Sequence, residues 1–172
     1  MKTVSLVLTL AAVCASAALA VDFNKDALKK MQEEGHEIVD QEQGLRAFRL
    51  ASNLCLHAAK PDKAGSKLQA AKCKPKSDNQ KWQFDDKERL ANKGGLCLGI
   101  GGKAKKAGAT AELQKCGDAN HQRWTLDDKG HLVNGLGNCL QAADEGTKAG
   151  AKLESRPCDD KSAAQTWEQT TL

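Results

Sequence analysis

The sequence predicts an all-β fold in which three repeats of about 42 residues close on one another, preceded by a short helical arm. Three observations predict it. Cys55, Cys97 and Cys139 stand 42 residues apart, the cysteines fall into pairs of near-equal spacing, and a Gln-x-Trp triplet closes each unit. The 172 residues, 28% charged and 40% hydrophobic, suit one folded domain and exclude a large multidomain enzyme. Beyond the leader, no tract approaches the roughly 18 consecutive apolar residues of a membrane span.

The chain opens with a secretory pattern. Lys2 supplies a positive start, residues 4–13 are mostly apolar, and Ala18-Leu19-Ala20 is a small-x-small cleavage site. Residues 1–20 are therefore expected to be a signal peptide. The chain carries no Lys-Asp-Glu-Leu ending and no second apolar tail, so the expected location is secreted, extracellular. Residues 21–44 form an acidic arm of net charge −4. Phe23, Ala27, Leu28 and Met31 line one face of a predicted helix with Asn24 as its N-cap. Gly35 is expected to end or weaken that helix, with Ile38-Val39 as a separate apolar patch. The arm can dock on the basic first repeat or stand as a flexible leader.

With Cys14 in the leader, six cysteines remain, an even number in an exported chain. The intervals 18, 19 and 19 pair Cys55 with Cys73, Cys97 with Cys116, and Cys139 with Cys158. Each bond is worth about 3 kcal/mol by loop-closure entropy. No C-x-x-C or H-x-x-x-H spacing supports zinc, and no metal or other cofactor is expected.

The repeats run over about 45–84, 85–126 and 127–172. Each carries a large apolar residue seven positions before its first cysteine (Phe48, Leu90, Leu132). Each then carries Lys-Ala-Gly (Lys63, Lys106 and Lys148 leading) and a closing triplet, Gln80-Lys81-Trp82, Gln122-Arg123-Trp124 or Gln165-Thr166-Trp167. A unit this short cannot bury its own apolar face, so three must share a core. Apolar runs such as Leu96-Cys97-Leu98, broken by Gly, Asn and Asp, read as short strands and hairpins. Closing three copies on themselves removes exposed sheet edges.

These residues resemble the ricin B-type (R-type) lectin β-trefoil over about 45–169. The resemblance implies a β-trefoil whose Trp82, Trp124 and Trp167 are structural core residues. It also implies a sugar pocket with an Asp two residues after the first cysteine, an aromatic residue near the second, and an Asn before Gln-x-Trp. The chain departs from that pattern. The Asp place holds His57, Gly99 and Gln141, the aromatic place Ala71, Gln114 and Arg156, and the Asn place Asn79, His121 and Ala164. A sugar needs both directional polar contacts and an apolar wall. The expected carbohydrate contacts are therefore His57, Asn79 and Gln80 in the first repeat and Gln141 with Asp144 in the third, while Gly99 leaves the second the least equipped.

Charge is uneven: net +7 over 45–84, +3 over 85–126 and −3 over 127–172. Lys60, Lys63, Lys67, Lys72, Lys74 and Lys76 crowd the first repeat, and a basic face attracts sulfated or carboxylated glycans. The expected partners are glycans or glycoconjugates, anionic ones included. Nucleic acid is not expected, because basic residues are not interleaved with aromatic platforms. Catalysis lacks a motif: the four histidines are scattered, and Asp85-Asp86, Asp127-Asp128 and Asp159-Asp160 read as turns. The alternative reading is a trefoil with degenerate sugar sites, acting as a secreted interaction, matrix or effector protein through its lysines. A trefoil protease inhibitor would need a reactive loop that the sequence does not identify.

Overall fold

The computed structural model describes residues 25–42, 44–102 and 104–171. The expected signal peptide, Phe23 and Asn24 lie outside the described residues. Helix α1 spans Lys25–Glu42 and runs straight through Gly35, where the sequence predicts a break. A lone glycine costs a helix only about 1 kcal/mol relative to alanine, and the Lys- and Glu-rich neighbours favour helix. Ile38 and Val39 thus belong to the same helix. Its apolar positions Leu28 and Met31 are exposed. Among the described residues no helix is long and apolar enough to cross a membrane.

Among the described residues, twelve strands follow in three sets of four. The first set is β1 (Ala47–Leu50), β2 (Leu54–Ala58), β3 (Leu68–Lys72) and β4 (Trp82–Phe84). The second is β5 (Leu90–Asn92), β6 (Leu96–Ile100), β7 (Ala109–Lys115) and β8 (Trp124–Leu126). The third is β9 (Leu132–Asn134), β10 (Asn138–Ala142), β11 (Ala151–Pro157) and β12 (Trp167–Thr170). The outer strands of each set build a closed six-stranded barrel. β1 pairs β12, β4 pairs β5 and β8 pairs β9, and the bridges Arg46↔Trp82, Arg89↔Arg123 and His131↔Thr166 complete the ring. The inner hairpins β2–β3, β6–β7 and β10–β11 form a cap, joined through β3–β11, β11–β7 and the bridge Lys67↔Glu112. This is the β-trefoil, and closure leaves no long edge for another chain to pair with.

The core is the sum of equivalent positions. Phe48, Leu90 and Leu132, then Leu56, Leu98 and Leu140, and all three tryptophans are buried in one cluster. Cys55–Cys73, Cys97–Cys116 and Cys139–Cys158 are bonded as the spacing predicts, with Cα separations of 5.1, 5.0 and 5.0 Å. The aspartates after Gln-x-Trp hold turns: Asp85 Oδ1 accepts from the Lys87 and Arg89 amides, and Asp127 Oδ1 from those of Lys129 and His131.

Gln-x-Trp is a clamp. The Gln80 Oε1 accepts from the Lys74 amide at 2.8 Å and its Nε2 donates to the Lys72 carbonyl at 2.9 Å, bracketing Cys73. Gln122 brackets Cys116 and Gln165 brackets Cys158 in the same way. The motif therefore ties the end of each cap hairpin to the strand that re-enters the barrel.

Candidate functional site

The strand register lines up three equivalent rows of side chains on the cap. Directly paired residues of antiparallel strands point to the same face. In the first row His57 on β2 stands opposite Gln69 on β3, which stands opposite Lys152 on β11 of the third repeat. In the second, Gly99 on β6 stands opposite Glu112 on β7, which bridges to Lys67 of the first repeat. In the third, Gln141 on β10 stands opposite Glu154 on β11, which stands opposite Thr110 on β7. Every row thus takes its last member from the neighbouring repeat.

The second and third rows satisfy themselves. Lys67 forms a salt bridge to Glu112. Burial would raise the Glu112 carboxyl, but hydrogen bonds from Lys67 and Gln114 outweigh it and hold it below the usual carboxylate range. Gln114 fills the space over Gly99, where an added Cβ would collide with its Oε1. Its Oε1 accepts from Gln122 Nε2 at 2.7 Å, and His121 Nδ1 accepts from the Ile100 amide at 3.4 Å. In the third row Glu154 takes Arg156 Nε at 2.8 Å, and Gln141 Oε1 accepts from Gln165 Nε2 at 2.8 Å.

The first row is different. His57 is half-buried on β2, and Asn79 is half-buried in the short 3-10 turn Asp78–Gln80 that packs on that strand. The His57 Nδ1 is buried and has no hydrogen-bond partner. Burial, and next the positive charge of Lys74, push the His57 pKa below its ordinary value. Among the described residues, the side chains of Gln69, Lys74, Asn79 and Lys152 make no hydrogen bond or ion pair within the protein either. Ala71, paired with Cys55, leaves the position beside the row small.

Of the residues expected to touch sugar, His57 and Asn79 lie on elements that pack against each other, β2 and the turn Asp78–Gln80. Gln80 does not join them: it is 1% exposed and its amide is spent on the backbone around Cys73. Its chain position next to Asn79 is misleading, because adjacent residues of the turn face opposite ways, one to the core. Gln141 Oε1 already accepts from Gln165 Nε2, leaving its NH2 group and one lone pair, and Asp144 is exposed in the 3-10 turn Asp144–Gly146 at a left-handed φ of 53°. Gln69 and Lys152 were not legible as site residues, since Lys152 lies 95 positions from His57 and joins it only through the β3–β11 register. A cavity of about 360 Å³ adjoins the second row, lined by Ala104, Lys105, Asn120, His121 and Leu136. The described residues hold no cluster of three or more His, Cys, Asp or Glu fit for a metal ion.

The family profile described as ricin-type beta-trefoil lectin domain matches residues 44–167. Among solved structures, the chain is similar to the agglutinin from Abrus precatorius, with 22% identity and a TM-score of 0.66, over 74% of this chain and 48% of that one. It thus spans about half of the agglutinin chain. It is also similar to the designed three-fold symmetric protein ThreeFoil, with 20% identity and a TM-score of 0.65, over 75% of this chain and 99% of that one. The C-half of an earthworm R-type lectin, solved in complex with GalNAc, gives 16% identity and a TM-score of 0.63, over 75% and 99% of the two chains. No curated protein matches the chain by sequence.

Proposed function

The chain belongs to the ricin-type β-trefoil lectin family, and from that premise we propose that it is a secreted protein that recognises glycans noncovalently through the rows of its cap, chiefly the first. A lectin domain of this family binds carbohydrate and performs no chemistry on it. The observation that carries the choice of site is the set of unspent polar groups at His57, Gln69 and Asn79. Hydroxyl-rich ligands are held by such convergent donors and acceptors, and a small wall such as Ala71 admits a ring face. Neither the acidic residue nor the aromatic platform of the family's galactose-type pocket is present, so an altered sugar preference follows. The leader and the three disulfides support export.

A glycan-array screen of the oxidised protein lacking residues 1–20, at low and physiological salt, tests this reading. Selective binding that survives physiological salt supports it, and loss in His57→Ala and Asn79→Ala locates the site. Folded protein that binds no glycan in either buffer overturns it. A second reading rests on the exposed Lys60, Lys63, Lys72, Lys74 and Lys76 of the first repeat: ionic adhesion through a lysine-rich face. Binding to every polyanion, erased by salt, would favour that one.

A further inference from the structure

The three rows occupy equivalent places, so their differences isolate what each is built for. The place opposite the second member holds lysine in two of them, Lys152 in the first row and Lys67 in the second. In the second row that lysine meets Glu112 and is neutralised. In the first row the equivalent of Glu112 is the neutral Gln69, so Lys152 has no carboxylate across from it. The third row has the carboxylate, Glu154, but takes its cation from Arg156. Among the described residues, the first row alone of the three presents positive charge without a carboxylate partner.

Other groups around that row add to the effect. Lys74 follows Cys73, whose disulfide to Cys55 holds it near His57, and its charge is felt at the imidazole. Asp78, the acid of the turn that carries Asn79, already lies within 3.1 Å of Lys93 and 3.7 Å of Lys81. Gln69 and Asn79 are neutral and can serve hydroxyls. The row from His57 to Lys152 crosses three strands, about 10 Å, within reach of one sugar ring and a lysine side chain.

We infer that the first row binds an acidic sugar, a monosaccharide unit bearing a carboxylate or a sulfate, with its negative charge held by Lys152 and Lys74 and its hydroxyls by His57, Gln69 and Asn79. This deepens the glycan-binding reading and rests on it. A charge-assisted hydrogen bond is stronger than a neutral one, so the anion confers selectivity over the same sugar without it. Among the described residues no carboxylate answers Lys152 or Lys74, whereas Glu112 answers Lys67 in the second row.

The test is calorimetric titration of the folded, oxidised protein at physiological salt with methyl glucuronide, methyl galactoside 6-sulfate and neutral methyl galactoside. Expected is binding of one or both acidic sugars at least about tenfold tighter than the neutral one, the difference worth one or more charge-assisted hydrogen bonds. Which acidic sugar prevails distinguishes carboxylate from sulfate. Gln69→Glu installs the carboxylate that the second row carries and should weaken acidic-sugar binding by about tenfold or more. Lys152→Gln, an exposed substitution that leaves the core untouched, should do the same, whereas Lys105→Gln beside the second-row cavity should leave binding unchanged. Equal binding of acidic and neutral sugars, or wild-type affinity in both Gln69→Glu and Lys152→Gln, overturns the inference and leaves glycan recognition standing. Absence of binding to any sugar here and on the array overturns both.

Discussion

The Trp82 indole Nε1 donates to the carbonyl of Leu56, 26 residues earlier, at 3.1 Å. The same bond recurs from Trp124 to Leu98 and from Trp167 to Leu140, each at 3.0 Å. Each joins the first residue of a barrel strand to the middle of a cap strand, so the cap rows sit on a platform held by three buried tryptophans. The closing tryptophans are thus architectural, as the family resemblance implies.

Trp124→Phe should therefore destabilise the fold without altering the first row. The buried Leu98 carbonyl loses its donor and the smaller ring leaves a void, together about 2–4 kcal/mol. Chemical denaturation of the oxidised protein measures the loss, and unchanged glycan affinity at saturating stability conditions confirms the separation.

Gln80→Ala should behave as a stability mutation. It strips partners from the Lys74 amide and the Lys72 carbonyl, leaving part-buried backbone groups unpaired at about 1–3 kcal/mol. Denaturation again reads this. A variant with wild-type stability and abolished sugar binding would return Gln80 to the binding site.

Removing one staple, as in Cys97→Ser with Cys116→Ser, should cost about 3 kcal/mol. The loops closed by the three disulfides are nearly equal, with separations of 18, 19 and 19 residues, so the three double variants should fall close together. Differences far beyond 1 kcal/mol would mean that strain or residual structure, and not loop closure, decides the effect.

Acid should lower the stability of the protein over two separate pH windows. Burial and the Lys74 charge lower the His57 pKa from its ordinary 6.5. As pH falls through 6.5 the unfolded chain takes up a proton that the folded chain refuses, and stability drops until the folded value is reached. His57→Gln should remove that step. Asp127 gains the opposite way: burial would raise it, but the His131 and Lys129 amides outweigh this and hold it below 3.8. Asp85 is lowered likewise against its own burial by Arg89. Their contribution is complete above the unfolded value and is lost as pH falls below it. Urea midpoints from pH 8 to pH 2 check both windows, and Asp127→Asn should flatten the lower one.

The sequence alone determined the number of repeats and the disulfide pairing. Those depend on residues recurring at one interval, and a periodic sequence must satisfy the same contacts in each copy. The burial of the tryptophans came from the family resemblance that those repeats carry. It also singled out His57 and Asn79 as candidates, because they lie 22 positions apart within one repeat. Tertiary structure decided the rest. Gly35 did not stop α1, since its intrinsic cost is small against the helix formers on either side. Gln80 turned inward because the backbone beside Cys73 needs a donor and an acceptor. The pairing of Gln69 with Lys152, and of Glu112 with Lys67, arises where hairpins of different repeats meet in the cap. No interval within a repeat encodes that meeting, because it is set by the strand register that closing the trefoil imposes on all three hairpins at once.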